Sequence, residues 1–171
     1  NIYEYYMGVN FYISLPMIHH RVVFRELKAL QEIGADGILT QFHLPHWSAY
    51  GLNYYMMAKA AYGEEENRSV EQAFQGIFGN DAEEAEEFYE LLHDICRSLG
   101  PCHIPIPRSF LLRLEPECLP QAREAAVALA DKRPEDPFRR NLIVWMDYII
   151  AFKSLFDRYQ NGEDVRSGLQ E

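Results

Sequence analysis

The sequence is poor in cysteine, lacks any long apolar run and has no excess of base, and each shortage removes a class of protein. Cys96, Cys102 and Cys118 are an odd, scattered set that makes neither a disulfide framework nor a CxxC metal pair. Cys96 falls on an apolar helical face, where a buried thiol is expected, and the set suits a reducing environment. No stretch approaches the roughly 20 apolar residues that cross a bilayer, and no secretory leader is legible. There is no internal repeat. The chain opens without an initiator Met, directly on the strand-like Asn1-Ile2-Tyr3, so an excised segment of a longer protein is expected. Acidic residues outnumber basic ones by 26 to 16, for a net charge of −10. Nucleic acid and anionic membranes both call for a basic surface, so neither is an expected partner. The acid is concentrated at residues 64–66 and 81–90, a pattern of solvated helix surface.

What is present is material for a core. Apolar and aromatic residues make up 48% of the 171 residues. A chain of this length buries roughly 70% of its unfolded surface. Disorder is expected only in a frayed tail at residues 163–171.

Residues 2–7, Ile-Tyr-Glu-Tyr-Tyr-Met, are rich in β-formers and read as a strand, followed by an irregular connection at 9–18. Residues 21–33 carry Val23, Phe24, Leu27, Leu30 and Ile33 at helical spacing, and Gly34 stands where a helix stops. Residues 38–42 read as a second strand. A strand-helix-strand unit of this kind makes two parallel neighbours. The rest is helical. Residues 51–62 are apolar nearly all round and should be buried. Ser69-Val70-Glu71-Gln72 and Asp81-Ala82-Glu83-Glu84 read as capping boxes opening two helices, with Ser69 as the first N-cap. The second of these places Ala85, Phe88, Leu92, Ile95 and Leu99 on one face. Residues 101–120 hold five prolines and read as a surface loop, from which Phe110-Leu111-Leu112 is expected to dip inward. Helices at 120–132 and from Asp136-Pro137 to Asn161-Gly162 complete the chain. Trp145 is expected to be buried in the last.

The fold class expected is therefore mostly α with a small β component. Residues 1–48 form an α/β unit, 49–162 a helical extension and 163–171 the tail. Two strands do not make a stable sheet alone, and a parallel pair wants neighbours on both sides.

The residues Tyr3-Glu4-Tyr5-Tyr6, the run Leu30-Gln31-Glu32-Ile33-Gly34-Ala35-Asp36-Gly37, Thr40-Gln41 and Tyr50-Gly51-Leu52-Asn53-Tyr54-Tyr55 occur in an order that resembles an uncharacterised bacterial family. Its members carry a glycoside-hydrolase-like barrel, related in style to α-glucuronidases and β-hexosaminidases. Phe74-Gln75-Gly76-Ile77-Phe78-Gly79 and residues 86–92 resemble that family's helical tail. The resemblance implies that the two strands are the last of a (β/α)8 barrel and that carbohydrate is the substrate class. It implies a site at the carboxyl ends of the strands, facing Tyr5, Tyr6, Gln41, His43 and Trp47, with Tyr50 close by.

The chemistry suits sugar. Aromatic rings stack on the C–H faces of pyranoses, and polar groups bond the hydroxyls. Trp47, Tyr50, Tyr54 and Tyr55 offer rings, while Gln41 and His43 offer hydrogen bonds. Tyr54 and Tyr55 fit a core helix equally well. His19, His20, His43 and His46 fall on the two loops a barrel would bring together. Their spacing alone is weak evidence for a metal, so no metal and no cofactor is expected, and His93 and His103 are set apart from them. Glycosidases place two carboxyl groups about 5–10 Å apart. Near the strands stand only Glu4, within the first strand, and Asp36, before the second. Glu4 is the one catalytic candidate, and a full catalytic pair is expected to lie on strands outside this chain. The competing expectation is a helical scaffold that forms a homo-oligomer through its unpaired strands.

Overall fold

A computed structural model of the protein describes residues 2–4, 18–40, 47–98, 111, 114–115 and 117–166. Strand β1 (Ile2–Glu4) pairs with β2 (Ile38–Thr40) in parallel, with Ile2 opposite Ile38, Tyr3 opposite Leu39 and Glu4 opposite Thr40. Helix α1 (His20–Glu32) lies between them in sequence. Then follow α2 (Trp47–Ala61), α3 (Glu66–Phe78), a 3-10 turn (Gly79–Asp81), α4 (Ala82–Ser98), α5 (Cys118–Asp131) and α6 (Pro137–Gln160). The chain is mostly helical with a small two-stranded parallel sheet. No helix among the described residues is long and apolar enough to cross a membrane.

The helices form where the apolar spacing places them. α1 buries Val23, Phe24 and Leu27 against α2 and α3. It ends as Gly34 takes a φ of 86°, which an L side chain rarely adopts. There the Gly34 N–H donates to Gln31 O and the Ala35 N–H to Leu30 O, which satisfies two of the last carbonyls. α2 buries Tyr50, Leu52, Met56 and Ala60 between α1, α3 and α6. α4 carries Ala85, Phe88 and Leu92 into the core, with Tyr89 beside them. Leu111 and Leu114 are also buried, so the Pro-rich segment does send apolar side chains inward. Residues 101–110, 112–113 and 116 of the segment, Cys102 and His103 among them, lie outside the described set. Ile38 is the strand residue that packs on the helical core, while Leu39 and Tyr3 face outward.

Three local expectations are corrected. Ser69 does not cap α3. The helix starts earlier, at Glu66, and the Glu65 carboxylate accepts from the Asn67 and Arg68 N–H groups at 3.1 and 2.8 Å. Ser69 lies one turn inside and donates its hydroxyl back to Glu65 O at 2.6 Å. Asp81 does directly precede α4, but its carboxylate is drawn to Arg139 and Lys132. Trp145 is half-buried rather than buried, and Tyr159 is exposed.

One charged side chain is sealed in the core. Arg139 of α6 is 0% exposed. Its Nη1 donates to Asp81 Oδ2 at 2.8 Å and to Leu129 O at 3.0 Å, and its Nη2 donates to Phe78 O at 3.0 Å. The guanidinium also lies over the Phe78 ring, 5.4 Å from its centre. It thus joins α6 to the end of α3, the start of α4 and the end of α5. Replacing Arg139 by Leu strips donors from two carbonyls and a carboxylate. Removing one partner of such a buried network costs about 3 kcal/mol or more. Asp136, the N-cap of α6, accepts from the Phe138 N–H at 2.9 Å, and Asp136→Ala should cost about 1 kcal/mol. Urea unfolding at neutral pH measures both, and a loss for Arg139→Leu no larger than for Asp136→Ala would contradict the central role given to Arg139.

Candidate functional site

The parallel pair has a defined carboxyl end, and Glu4 and Thr40 occupy it in register. Asp36 lies before β2, at the opposite end, and is exposed. Glu4 therefore stands, by its backbone, at the end where an α/β barrel does chemistry. Trp47 is the first residue of α2. Tyr5, Tyr6, Gln41, His43 and His46 lie outside the described residues. Tyr50 is inside the core, 0% exposed, with its ring edge-on to Trp145 at 6.2 Å between centres. It packs α2 on α6 there. Tyr54 and Tyr55 are half-buried against the same core. Thr40 Oγ1 is buried without a hydrogen-bond partner among the described residues.

A second polar assembly is better defined, and it joins residues that the sequence separates. His20 opens α1 and His19 precedes it, and both rings turn to His93 of α4. The ring centres are 6.1 Å apart for His19 and His93, and 6.3 Å for His20 and His93. His20 is 0% exposed and packs edge-on to Phe74. Its Nε2 stands 3.4 Å from Glu90 Oε1, at ion-pair distance, yet neither ring nitrogen has a hydrogen bond among the described residues. His93 Nδ1 lies 2.7 Å from Ile18 O, so Nδ1 carries the hydrogen and donates. The His19 N–H donates to Oδ1 of the buried Asn53 in α2 at 3.0 Å.

Arg21 extends the assembly to the surface. Its guanidinium donates to Glu90 Oε1 and Glu86 Oε1, both at 2.9 Å, and to Asn67 Oδ1 at 3.3 Å. Arg25 grips Glu66 with two nitrogens. The electrostatics follow from these contacts. The His20 imidazole, followed by Arg21, holds the Glu90 carboxyl at about 2, against the opposing effect of burial. Burial, followed by the neighbouring His93 and His20, holds His19 at about 4. Close by, the Tyr89 hydroxyl donates to Ser48 O at 2.5 Å, and burial pushes that phenol up.

Among the described residues no group of three or more His, Cys, Asp or Glu side chains is arranged to hold a metal ion. His93, Glu90 and Arg21 were not singled out from the sequence. The available signal was the polar row Glu86, Glu90 and His93 at i, i+4 and i+7 on a helix whose other face is apolar. Comparison with known protein families, curated proteins and solved structures finds no match to this chain.

The Glu90 contacts have a signed consequence. A carboxyl held below its unfolded value adds stability that is present above about pH 4.5 and is lost as pH falls towards 2. Unfolding midpoints between pH 5 and 2.5 should therefore fall more steeply in the native protein than in Glu90→Gln. Parallel slopes would remove Glu90 from the list of stabilising charges.

Proposed function

We propose that this chain is the closing section of a carbohydrate-handling (β/α)8-type protein, supplying subsite residues to a site whose catalytic acids stand on other strands. The observation that carries the proposal is the parallel pair itself. Among the described residues the sheet is two three-residue parallel strands joined through a helix, with Leu39 64% and Tyr3 47% exposed. Parallel strands occur where a larger sheet is covered on both faces. Glu4 and Thr40 lie at the carboxyl end of the pair, and Trp47 follows that end by a short connection. Glu4 in register at that end and Asp36 before the other suit a contribution to binding rather than a complete hydrolytic pair. Sugar enters through the resemblance of the Tyr3–Tyr6, 30–37 and 50–55 motifs to glycoside-hydrolase-like barrels, and through the aromatic and amide chemistry around Trp47 and Gln41.

A second proposal draws on the same exposed residues. The exposed apolar side chains of Leu39 (64%) and Ile33 (79%) would also serve association between two copies of a helical scaffold.

Tryptophan fluorescence separates the two. Titration with neutral sugars, amino sugars and uronic acids should give a saturable change with one class. Trp47→Phe should abolish that change, whereas Trp145, packed against Tyr50, should contribute a constant background. A flat response across the panel, together with a dimer in light scattering that Leu39→Lys dissociates, would replace the carbohydrate proposal with the scaffold.

A further inference from the structure

The three imidazoles at the start of α1 do more than fill space. A buried histidine with a purely structural role has its ring nitrogens bonded. His20 has both nitrogens buried and neither bonded among the described residues. A phenyl ring could occupy the same place with no unmade hydrogen bond, so what the imidazole adds is the capacity to take up a proton. We infer that His19, His20 and His93 form a proton-operated clasp, which holds the start of α1 on α2 and α4 while at most one ring is charged and releases it once two of them are.

The charges around the cluster set this behaviour. From α4 it is faced by Glu90, with Glu86 one turn earlier, Tyr89 on the core side and Asp94 on the exposed side. From α1 it is faced by Arg21. α2 presents the neutral Asn53, and α3 presents Phe74, with Glu66 beyond Arg21. Glu86 and Glu66 are already engaged by Arg21, and Glu90 is shared between Arg21 and His20. A first proton on His20 would therefore meet a carboxylate 3.4 Å away. A second proton on His93 would face the cationic His20 ring 6.3 Å off, with Arg21 close by and Glu90 already shared, and one on His19 is opposed by burial and by both neighbouring imidazoles. For His93 it must add at Nε2, because Nδ1 already donates to Ile18 O.

The consequence falls on a particular joint. Ile18 and His19 are the residues through which α1 is fastened, by the His93–Ile18 and Asn53–His19 hydrogen bonds. α1 in turn links β1 to β2. Charging the cluster therefore loosens the strand-helix-strand unit from the helices, while the α5–α6 pair, tied by Arg139, stays shut. The linkage sign agrees. His19 is held at about 4 in the fold against 6.5 when free, so its contribution is complete above pH 6.5 and declines as pH falls towards 4.

Hydrogen exchange of the whole chain at pH 7.5 and 5.5, corrected for intrinsic rates, tests the clasp. The opening equilibrium of α1 should rise about tenfold at the lower pH by proton linkage, and that of α6 should stay within about twofold. In the double variant His19→Gln and His93→Gln, the amide introduced at position 93 can still donate to Ile18 O, and the α1 rise should shrink below about threefold. Equal α1 protection at both pH values would overturn the proposal. So would an NMR titration of the unaltered protein in which His19 gains its proton near 6.5, a measurement that stands even if the double variant fails to fold.

Discussion

The guanidinium of Arg139 is the constraint on which the helical packing depends. A fully buried cation is admissible only if it is paired and hydrogen-bonded, and the partners it finds are spread over three other segments. The Phe78 carbonyl ends α3, Asp81 precedes α4 and the Leu129 carbonyl belongs to the last turn of α5. Such carbonyls are among the groups a helix leaves unpaired at its carboxyl end. One side chain thus meets needs that each helix end would otherwise take to water, and it fixes where the ends meet. Lys132, on Asp81 and Glu84, repeats the linkage at the surface, where solvent screens it.

The other half of the chain is held differently. α1 sits on α2 and α3 by apolar side chains, but its first residues are fastened by polar contacts to α2 and α4. The sheet adds little of its own, since among the described strand residues only Ile38 reaches the core. Stability is therefore unevenly distributed. The region around Arg139 combines apolar burial with a buried ion bonded through both terminal nitrogens. The α1 joint combines burial with imidazoles whose charge depends on pH. A protein built in this way can respond to acid at one end without losing its core at the other.

Both proposed roles meet at the same strand-helix-strand unit. If further strands complete the sheet, α1 becomes a crossover helix and the carboxyl ends of β1 and β2 become part of a site rim. The clasp at His19, His20 and His93 then controls how firmly that rim is held to the helices. The clasp does not require the carbohydrate reading, because it depends only on contacts within the helices and at the start of α1.

The sequence by itself determined the local structure. Apolar spacing marked α1, α4 and α6, Asp136-Pro137 marked the start of α6, and Gly34 marked the end of α1, because these are set by contacts within a few residues. The parallel pairing was also legible, since a strand-helix-strand order leaves few alternatives. The start of α3 was misplaced, because Glu65 offered a cap four residues ahead of Ser69. Tyr50 looked like a possible sugar platform near Trp47, and only packing against Trp145 put it in the core. The histidine assembly was hidden for the same reason. His20 and His93 stand 73 positions apart in the numbering, and nothing local distinguishes His93 from a surface residue until α4 is laid against α1. What reaches across the chain, the partners of Arg139 and the neighbours of His20, was decided by tertiary structure, because burial and charge pairing depend on which surfaces meet.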